Sequence, residues 1–169
     1  MNNIVLFEPE IPQNTGNIMR TCVATDTTLH LIKPLGFVLD DAHLKRSGVN
    51  YIDKVEYKRY LDYEDFKNNN EGEYYYFTRY GTKSYDEIDF SDKNKNHYLI
   101  FGKESTGIPK EILHNNLDRC YRIPTSDNIR ALNLSNCVAL VTYEALRQQK
   151  FPNLLRSDPF KGEDYLEKE

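Results

Sequence analysis

An apolar run, a loop with two glycines and the start of a helix follow one another in Tyr98-Leu99-Ile100-Phe101-Gly102-Lys103-Glu104-Ser105-Thr106-Gly107-Ile108-Pro109. A short apolar run that ends at a glycine is typical of a buried strand, and proline is favoured in the first turn of a helix. Gly102 lets the backbone approach a ligand closely, because it has no Cβ atom. The stretch therefore predicts a buried strand that ends at a ligand-facing loop.

Similar strand and helix patterns alternate along the rest of the chain. They predict an α/β fold with a mostly parallel six-stranded sheet and helices on both faces. The predicted strands are Ile4–Phe7, Leu29–Ile32, Val55–Tyr57, Tyr74–Thr78, Tyr98–Phe101 and Tyr121–Ile123. The predicted helices are Thr15–Ala24, Asp41–Arg46, Tyr63–Lys67, Pro109–Asn115 and Leu134–Gln148, and Gly48 is a stop signal after the second of them.

The length of the chain, 169 residues, fits one domain with its own core. We assign that domain to residues 1–152, because residues 153–169 lack periodicity and are predicted to form a flexible acidic tail. Apolar runs all fall short of the roughly 20 residues of a membrane-spanning helix. The N-terminal segment looks like a strand and has no basic region of an export signal, which predicts a cytoplasmic protein.

The cysteines and histidines predict neither a disulfide framework nor a metal site. Cys22, Cys120 and Cys137 are odd in number and far apart, so we expect buried, reduced thiols. The four histidines lack metal-ligand spacing. A net charge of −4 gives no support to a nucleic-acid partner from bulk charge alone.

The last predicted helix, Leu134–Gln148, is apolar nearly all round. Leu134, Val138, Val141 and Ala145 recur at helical spacing, and further apolar residues occupy its other sides. Such a helix needs a second partner besides the sheet, and another copy of the same helix is the simplest one in a chain this small. The pattern predicts a homodimer through this helix. The alternative is a helix enclosed within the monomer.

Three loops at strand ends concentrate glycine, asparagine, serine and charge. They cover residues 8–21, 100–109 and 123–136. An α/β sheet binds its ligands beyond the carboxyl ends of its strands, which is where these loops are expected. In the first loop, Asn14 or Thr15 is the predicted cap of the following helix.

Arg20 stands near the start of that first helix, three residues after Asn17 and on the same face. A cation at this end opposes the helix dipole, so its presence indicates an anionic partner. The alternative is a surface salt bridge from Arg20 to Glu8 or Glu10.

Three motifs stand in a fixed order within residues 1–152: Asn14-Thr15-Gly16-Asn17-Ile18-Met19-Arg20, then Phe101-Gly102-Lys103-Glu104-Ser105-Thr106-Gly107, then Ile123-Pro124 through Leu132-Asn133-Leu134-Ser135-Asn136. In order and spacing they resemble the motifs of the SPOUT class of RNA 2′-O-methyltransferases. The chain looks like the short branch of that class that methylates the ribose of the wobble nucleotide in tRNA. That branch begins at the first catalytic strand and has no separate RNA-binding domain.

The resemblance implies a C-terminal trefoil knot, a homodimer, a tRNA partner and the cofactor S-adenosylmethionine, which leaves as S-adenosylhomocysteine, without a metal. It implies cofactor contacts, largely through the backbone, at Phe77, Thr78, Gly102, Ile123, Ala131, Leu132 and Asn133. The sequence departs from the common pattern of the class at Ile129 and Ala131, on either side of Arg130. Small hydroxyl residues often occupy these two positions. Ala131 therefore lacks one side-chain bond to the cofactor.

For catalysis the resemblance implies that Arg20 orients the target phosphate and stabilises the developing ribose oxyanion, since a guanidinium is a poor base. It implies that Glu104 orders its loop and that Asn17, Asn133 and Ser135 hold loops and hydroxyl groups. The alternatives are methylation of ribosomal RNA, a non-catalytic RNA-binding dimer, and an unknotted nucleotide-binding protein with its site at residues 8–17.

A local basic footprint for tRNA is still compatible with the acidic chain. Its candidate residues are Arg20, Lys45, Arg46, Lys103, Arg130 and Arg147. A dimer would double each patch, and binding through such patches would be sensitive to salt.

Overall fold

The computed structural model describes residues 1–46 and 51–169, which are built around a parallel sheet. Its strands are β1 (Asn2–Phe7), β2 (Thr28–Ile32), β3 (Tyr57–Tyr60), β4 (Glu73–Phe77), β5 (Lys83–Ser84), β6 (His97–Phe101) and β7 (Cys120–Arg122). They pair in parallel in the order β3-β2-β1-β6-β4-β7-β5. The predicted α/β class and parallel sheet are confirmed. The predicted number of strands, six, is wrong, because the described residues form seven.

The α-helices of the described residues are α1 (Pro12–Thr25), α2 (Asp41–Arg46), α3 (Tyr63–Asn69), α4 (Lys110–His114) and α5 (Leu134–Gln148). Those predicted helices therefore exist, with ends that differ by a few residues. The predicted stop at Gly48 lies outside the described residues.

Strand β1 shows why the sheet is covered on both faces. Every one of its residues is buried, and successive side chains point to opposite faces. Ile4 and Leu6 pack into one core with residues of α1 and α5, whereas Val5 and Phe7 pack into another with residues of α3 and α4. Each face therefore buries its own layer of helices, as predicted.

Helix α1 begins earlier than predicted. Pro12 occupies the first turn and Ile11 is the N-cap, so Asn14 and Thr15 are buried inside the helix and do not cap it. A proline at this position presets the backbone for a helix and has no N–H group to satisfy. A distant loop supplies the acceptor for the N–H groups of Glu10 and Ile11, just before the helix, and local sequence patterns do not reveal it.

Two strands differ from expectation because they are polar or short. Residues 52–54 form a 3-10 turn, and strand β3 follows at Tyr57–Tyr60, not at Val55–Tyr57. Lys58 and Arg59 are exposed there, as an edge strand permits. Strand β5 is a two-residue edge strand beside β7, too short for a periodicity search to find.

The remaining expectations concern thiols and chain ends. Cys22 and Cys120 are buried, Cys137 is half-buried, and all three are free thiols, as predicted.

Residues 153–169 form no helix or strand, and most of their side chains are exposed. Within residues 1–46 and 51–169, none of the helices has the length and apolar character needed to cross a membrane.

Candidate functional site

A cavity of about 640 Å³ opens at the carboxyl ends of β4, β6 and β7. All seven residues expected to contact the cofactor line it: Phe77, Thr78, Gly102, Ile123, Ala131, Leu132 and Asn133. Glu104 lines it as well, whereas Arg20, Asn17 and Ser135 are not among its lining residues. The three loops singled out in the sequence thus meet at one cavity, without three of the four expected catalytic side chains.

The loop after β6 folds back tightly on itself. The N–H of Gly107 donates to the carbonyl of Lys103 at 2.9 Å, which closes a turn. A Cβ atom at Gly102 would lie 2.2 Å from both the carbonyl carbon of Gly107 and the nitrogen of Ile108. A glycine is therefore needed at position 102 for the loop to fold back on itself, whether or not a ligand is bound.

Glu104 ties this loop to the start of α1. Its carboxylate accepts from the backbone N–H of Glu10 at 2.8 Å, from that of Ile11 at 3.1 Å and from Asn14 Nδ2 at 3.3 Å. Free N–H groups and the helix dipole both favour a negative charge at a helix N-terminus. Glu104 is thus a capping residue supplied from another loop.

The acidic residues of the first loop hold the second loop in return. Glu8 Oε2 accepts from Lys103 Nζ at 2.9 Å, and Glu10 Oε1 accepts from the N–H and Oγ of Ser105 at 3.0 and 2.6 Å. The hydrogen bonds from Ser105 lower the pKa of the Glu10 carboxyl, and Glu8 raises the pKa of the Lys103 ammonium. Glu8 and Glu10 therefore have partners other than Arg20, and the alternative salt bridge is wrong.

Asn14 links the second loop to the third, a role that the sequence analysis missed. Its Nδ2 donates to Glu104, and its Oδ1 accepts from Asn133 Nδ2 at 3.0 Å. Asn133 caps α5, because its Oδ1 accepts from the N–H of Ser135 at 2.9 Å and from Ser135 Oγ at 2.6 Å. A buried asparagine inside the first helical turn was the available signal, since a buried amide needs partners.

Arg20 and Asn17 lie on the exposed side of α1, away from the cavity. Arg20 follows Asn14 by six residues, about 9 Å of helix rise. Its charge acts on Tyr51, whose pKa is raised by burial and lowered less strongly by the Arg20 charge. Among residues 1–46 and 51–169, Arg20 makes no salt bridge, so its guanidinium stays available to a partner.

The connection between β4 and β5 crosses the backbone of β7. The N–H of Thr78 donates to the carbonyl of Tyr121 at 2.9 Å, and Arg122 Nη1 donates to the carbonyl of Arg79. At Gly81 a Cβ atom would lie 2.5 Å from the carbonyl carbon of Tyr121, so only glycine permits this crossing. The crossing connection forms one wall of the cavity.

The cavity is cationic although the chain is acidic. Arg79, Arg122 and Arg130 line it together with Lys103, whereas Glu104 is the one acid among its described lining residues. Burial also raises the pKa of the lining thiol of Cys137. The arrangement favours anionic ligands at the mouth, which the net charge did not indicate.

Two residues of the predicted basic footprint for tRNA, Lys103 and Arg147, form salt bridges within the chain. Lys103 is paired with Glu8, and Arg147 is paired with Glu144 at 2.8 Å. Lys45 is exposed on α2, and the side chain of Arg46 lies outside the described residues. Arg79, Arg122 and Arg130, beside the cavity, form no salt bridge among the described residues, so they take the place of Lys103 and Arg147 as cations without an acidic partner.

Known proteins resemble this chain over a range that includes the three loops of the cavity. The sequence profile of the family described as SpoU rRNA Methylase matches residues 1–143. A relative from Listeria innocua serovar 6a is 56% identical over 157 residues, which is 92% of each chain. That relative is named, provisionally, a tRNA (cytidine(34)-2′-O)-methyltransferase.

Solved structures give the same fold. One, from work on the 2-OH methylation of cytidine or uridine 34 on tRNA, has a TM-score of 0.79 and 38% identity, and the match covers 89% of this chain and 97% of that one. Another, the SpoU methyltransferase AviRb from Streptomyces viridochromogenes with its cofactor AdoMet, has a TM-score of 0.74 and 20% identity, over 88% of this chain and 60% of that one. At that identity the likeness to AviRb shows the fold alone.

Proposed function

The chain belongs to the SpoU rRNA methylase family, and we propose that it transfers a methyl group from S-adenosylmethionine to the ribose 2′-hydroxyl of nucleotide 34, the wobble position, of tRNA. One observation carries the proposal: the three motif loops meet at a cavity that all seven expected cofactor residues line. The relative from Listeria and the structure solved for work on nucleotide 34 support the choice of substrate. Such an enzyme works where tRNA is, and we place it in the cytoplasm.

The cavity suits an adenosine group that is held mostly by backbone. Phe77, Phe101 and Leu132 give it apolar walls, and the strand ends and Gly102 offer backbone groups between them. Pockets of this kind fix a ligand with a few polar groups among apolar side chains. When it is bound, S-adenosylmethionine supplies an electrophilic methyl group. The acceptor hydroxyl has to enter through the mouth, past the arginines.

The role we assign to Arg20 requires a second copy of the chain. Its exposed guanidinium lies outside the cavity of its own chain, so it can act on a bound ribose only from a partner. We assign the homodimer to α5. In that dimer Arg20 of one protomer stabilises negative charge at the ribose oxygen in the cavity of the other. Asn17 supports it from the same helix face, and Glu104, Asn133 and Ser135 hold the loops.

The surface that would pair is the outer side of α5. Val138 and Val141 are completely buried in the monomer, so a charge at either would test folding and not pairing. Ala139 is half-buried, and Tyr143 is 46% exposed although its ring is large and apolar. These two residues are four apart, which places them on one helix face.

We expect the double variant Ala139→Asp, Tyr143→Asp to be a monomer, because pairing would bury four uncompensated charges in each dimer, at a cost of several kcal/mol. Light scattering would show half the wild-type mass, and circular dichroism would show an intact fold. The matched control is Tyr165→Asp, an exposed tyrosine outside α5. If the double variant keeps the wild-type mass, the outer side of α5 is not the dimer interface.

We also propose the trefoil knot. Strand β7 lies between β4 and β5, and the short connection between those two strands crosses it backbone against backbone. We propose that the chain leaving β7 passes beneath this crossing on its way to α5, so that the path is threaded. We assign the methyltransferase domain to residues 1–152 and regard residues 153–169 as a tail outside it.

The direct test is methylation of a tRNA transcript with cytidine at position 34, followed by mass spectrometry of its nucleosides. We expect 2′-O-methylcytidine at that position, and no methylation when position 34 carries 2′-deoxycytidine. A ribosomal RNA fragment serves as competitor, because the family is described by rRNA methylation. Methylation of that fragment in place of the tRNA would overturn the proposal, and so would transfer to the deoxy substrate.

A further inference from the structure

A tyrosine with an arginine stacked on it stands at the mouth of the cavity. Tyr80 is 68% exposed, and the guanidinium carbon of Arg79 lies 4.7 Å from the centroid of its ring. Arg79 Nη2 also donates to Tyr80 Oη at 2.7 Å. Both residues line the cavity. One large aromatic surface is therefore held in water next to the proposed site of methyl transfer.

The backbone beneath this pair is held in place by several hydrogen bonds. The N–H of Gly81 donates to the carbonyl of Thr78 at 3.1 Å, and the N–H of Tyr80 donates to Thr78 Oγ1 at 3.2 Å. Arg122 holds the carbonyl of Arg79 from β7. A ring on so well-ordered a loop loses little conformational freedom when a ligand covers it.

We infer that Tyr80 is the stacking surface for the base of the nucleotide that is methylated, with Arg79 supporting its ring. The inference rests on the proposed function. The acceptor ribose must reach the mouth of the cavity, and its own base is one glycosidic bond away, at the rim where Tyr80 stands. Unpaired RNA bases are recognised by stacking on aromatic rings and guanidinium planes. The Tyr80–Arg79 pair offers both kinds of group.

Stacking accepts any base that presents a flat face, because it does not read hydrogen-bond donors and acceptors. Tyr80 is therefore a positioning residue and does not select between cytidine and uridine. Its contribution is to hold the base, so that the attached 2′-hydroxyl points into the cavity. The neighbouring Arg130 also lines the cavity and remains available for a phosphate, whereas Arg122 is hydrogen-bonded to Arg79 and Thr125.

The test uses an anticodon stem-loop RNA with the fluorescent analogue pyrrolocytidine at position 34, since stacking quenches its emission. We expect quenching with wild-type protein and with Tyr80→Phe, and none with Tyr80→Ala at saturating protein. For the unmodified stem-loop, Tyr80→Ala should raise KM about 10-fold or more, the scale of one lost base stack. The affinity for S-adenosylmethionine, measured by calorimetry, should stay at the wild-type value.

Tyr165→Ala is the matched control. Tyr165 is an exposed tyrosine with Lys161 Nζ 4.2 Å from its ring centroid, the same kind of pair far along the chain from the cavity loops. We expect wild-type quenching and KM from this control. The inference is overturned if Tyr80→Ala quenches and turns over like wild type. It is also overturned if the variant loses affinity for the cofactor, since the ring would then stack on adenine.

Failure of the proposed function looks different. In that case the wild-type protein itself would leave position 34 unmethylated and the fluorescence unquenched, and both conclusions would fall together. Equal behaviour of wild type and Tyr80→Ala, on an RNA that wild type does methylate, removes the stacking inference alone.

Discussion

Arg20→Ala should lower the rate of methyl transfer about 100-fold or more at saturating tRNA and cofactor, the effect of removing one oxyanion donor. Cofactor affinity should not change, because Arg20 lies outside the cavity of its own chain. Arg20→Lys keeps the charge but loses the planar fork, so we expect it to recover only part of the rate. Single-turnover assays with labelled cofactor measure these rates.

Gln13→Ala is a suitable control, since Gln13 is also exposed on α1 and outside the cavity. It should turn over at the wild-type rate. A wild-type rate in Arg20→Ala as well would remove Arg20 from the chemistry.

Mixing two inactive variants tests whether Arg20 acts across the dimer. In a mixed dimer of Arg20→Ala with Gly102→Ala, the variant that we expect to lose cofactor binding, one intact cavity faces one intact Arg20 of the other protomer. Random pairing gives mixed dimers in half of the population, so about a quarter of the wild-type activity should return. An arginine that acted within its own chain would restore nothing, because every protomer would then carry one defect.

Gly102→Ala should weaken the binding of S-adenosylmethionine about 100-fold or more, the effect of losing two or more hydrogen bonds to a buried ligand. The added methyl group would lie 2.2 Å from the backbone of Gly107 and Ile108, so the loop after β6 has to move away. Calorimetry measures the affinity, and thermal unfolding reports the accompanying loss of stability. We expect some loss of stability, so cofactor binding is to be measured well below the unfolding transition.

Gly107→Ala separates steric overlap from backbone strain in the same loop. Gly107 has a φ of +74°, and a Cβ atom there would meet nothing within 4 Å. An L residue in this region costs about 1 kcal/mol, so we expect less than a 10-fold change in cofactor affinity. Wild-type affinity in Gly102→Ala would contradict the placement of the cofactor against this loop.

The sequence predicted the cavity better than the chemistry around it. Gly102 follows from the rule that parallel strands bind ligands beyond their carboxyl ends, whereas Phe77 and Ile123 were implied by the resemblance to the SPOUT class. Glu104 could be found by motif, but its partners on α1 could not, because hydrogen bonds between loops depend on the tertiary fold. Tyr80 was missed for a related reason: its exposure is visible only once the crossing over β7 is known.

Two expectations, the caps of α1 and the dimer surface of α5, were drawn from local sequence patterns, and in both cases the tertiary fold decided the outcome. The helix-start signals at Asn14 and Thr15 were interpreted as caps, although the N-cap is Ile11 and its N–H donates to Glu104. The apolar residues of α5 were read as an interface, but Val138 and Val141 serve the monomer core. A periodicity gives the number of apolar faces and does not say which neighbour covers each of them.

The strand order described above also sets the sequence of events during folding. Strands β1, β2 and β3 are neighbours both in the chain and in the sheet, so this half can pair early. Strand β1 has to wait for β6, with Leu6 beside Phe101, and the edge strand β5 has to wait for β7, its neighbour in the sheet. Contacts between distant segments form slowly, because the chain between them must first be closed into a loop. The cavity walls therefore form late, and the ability to bind the cofactor is the last property that the chain acquires as it folds.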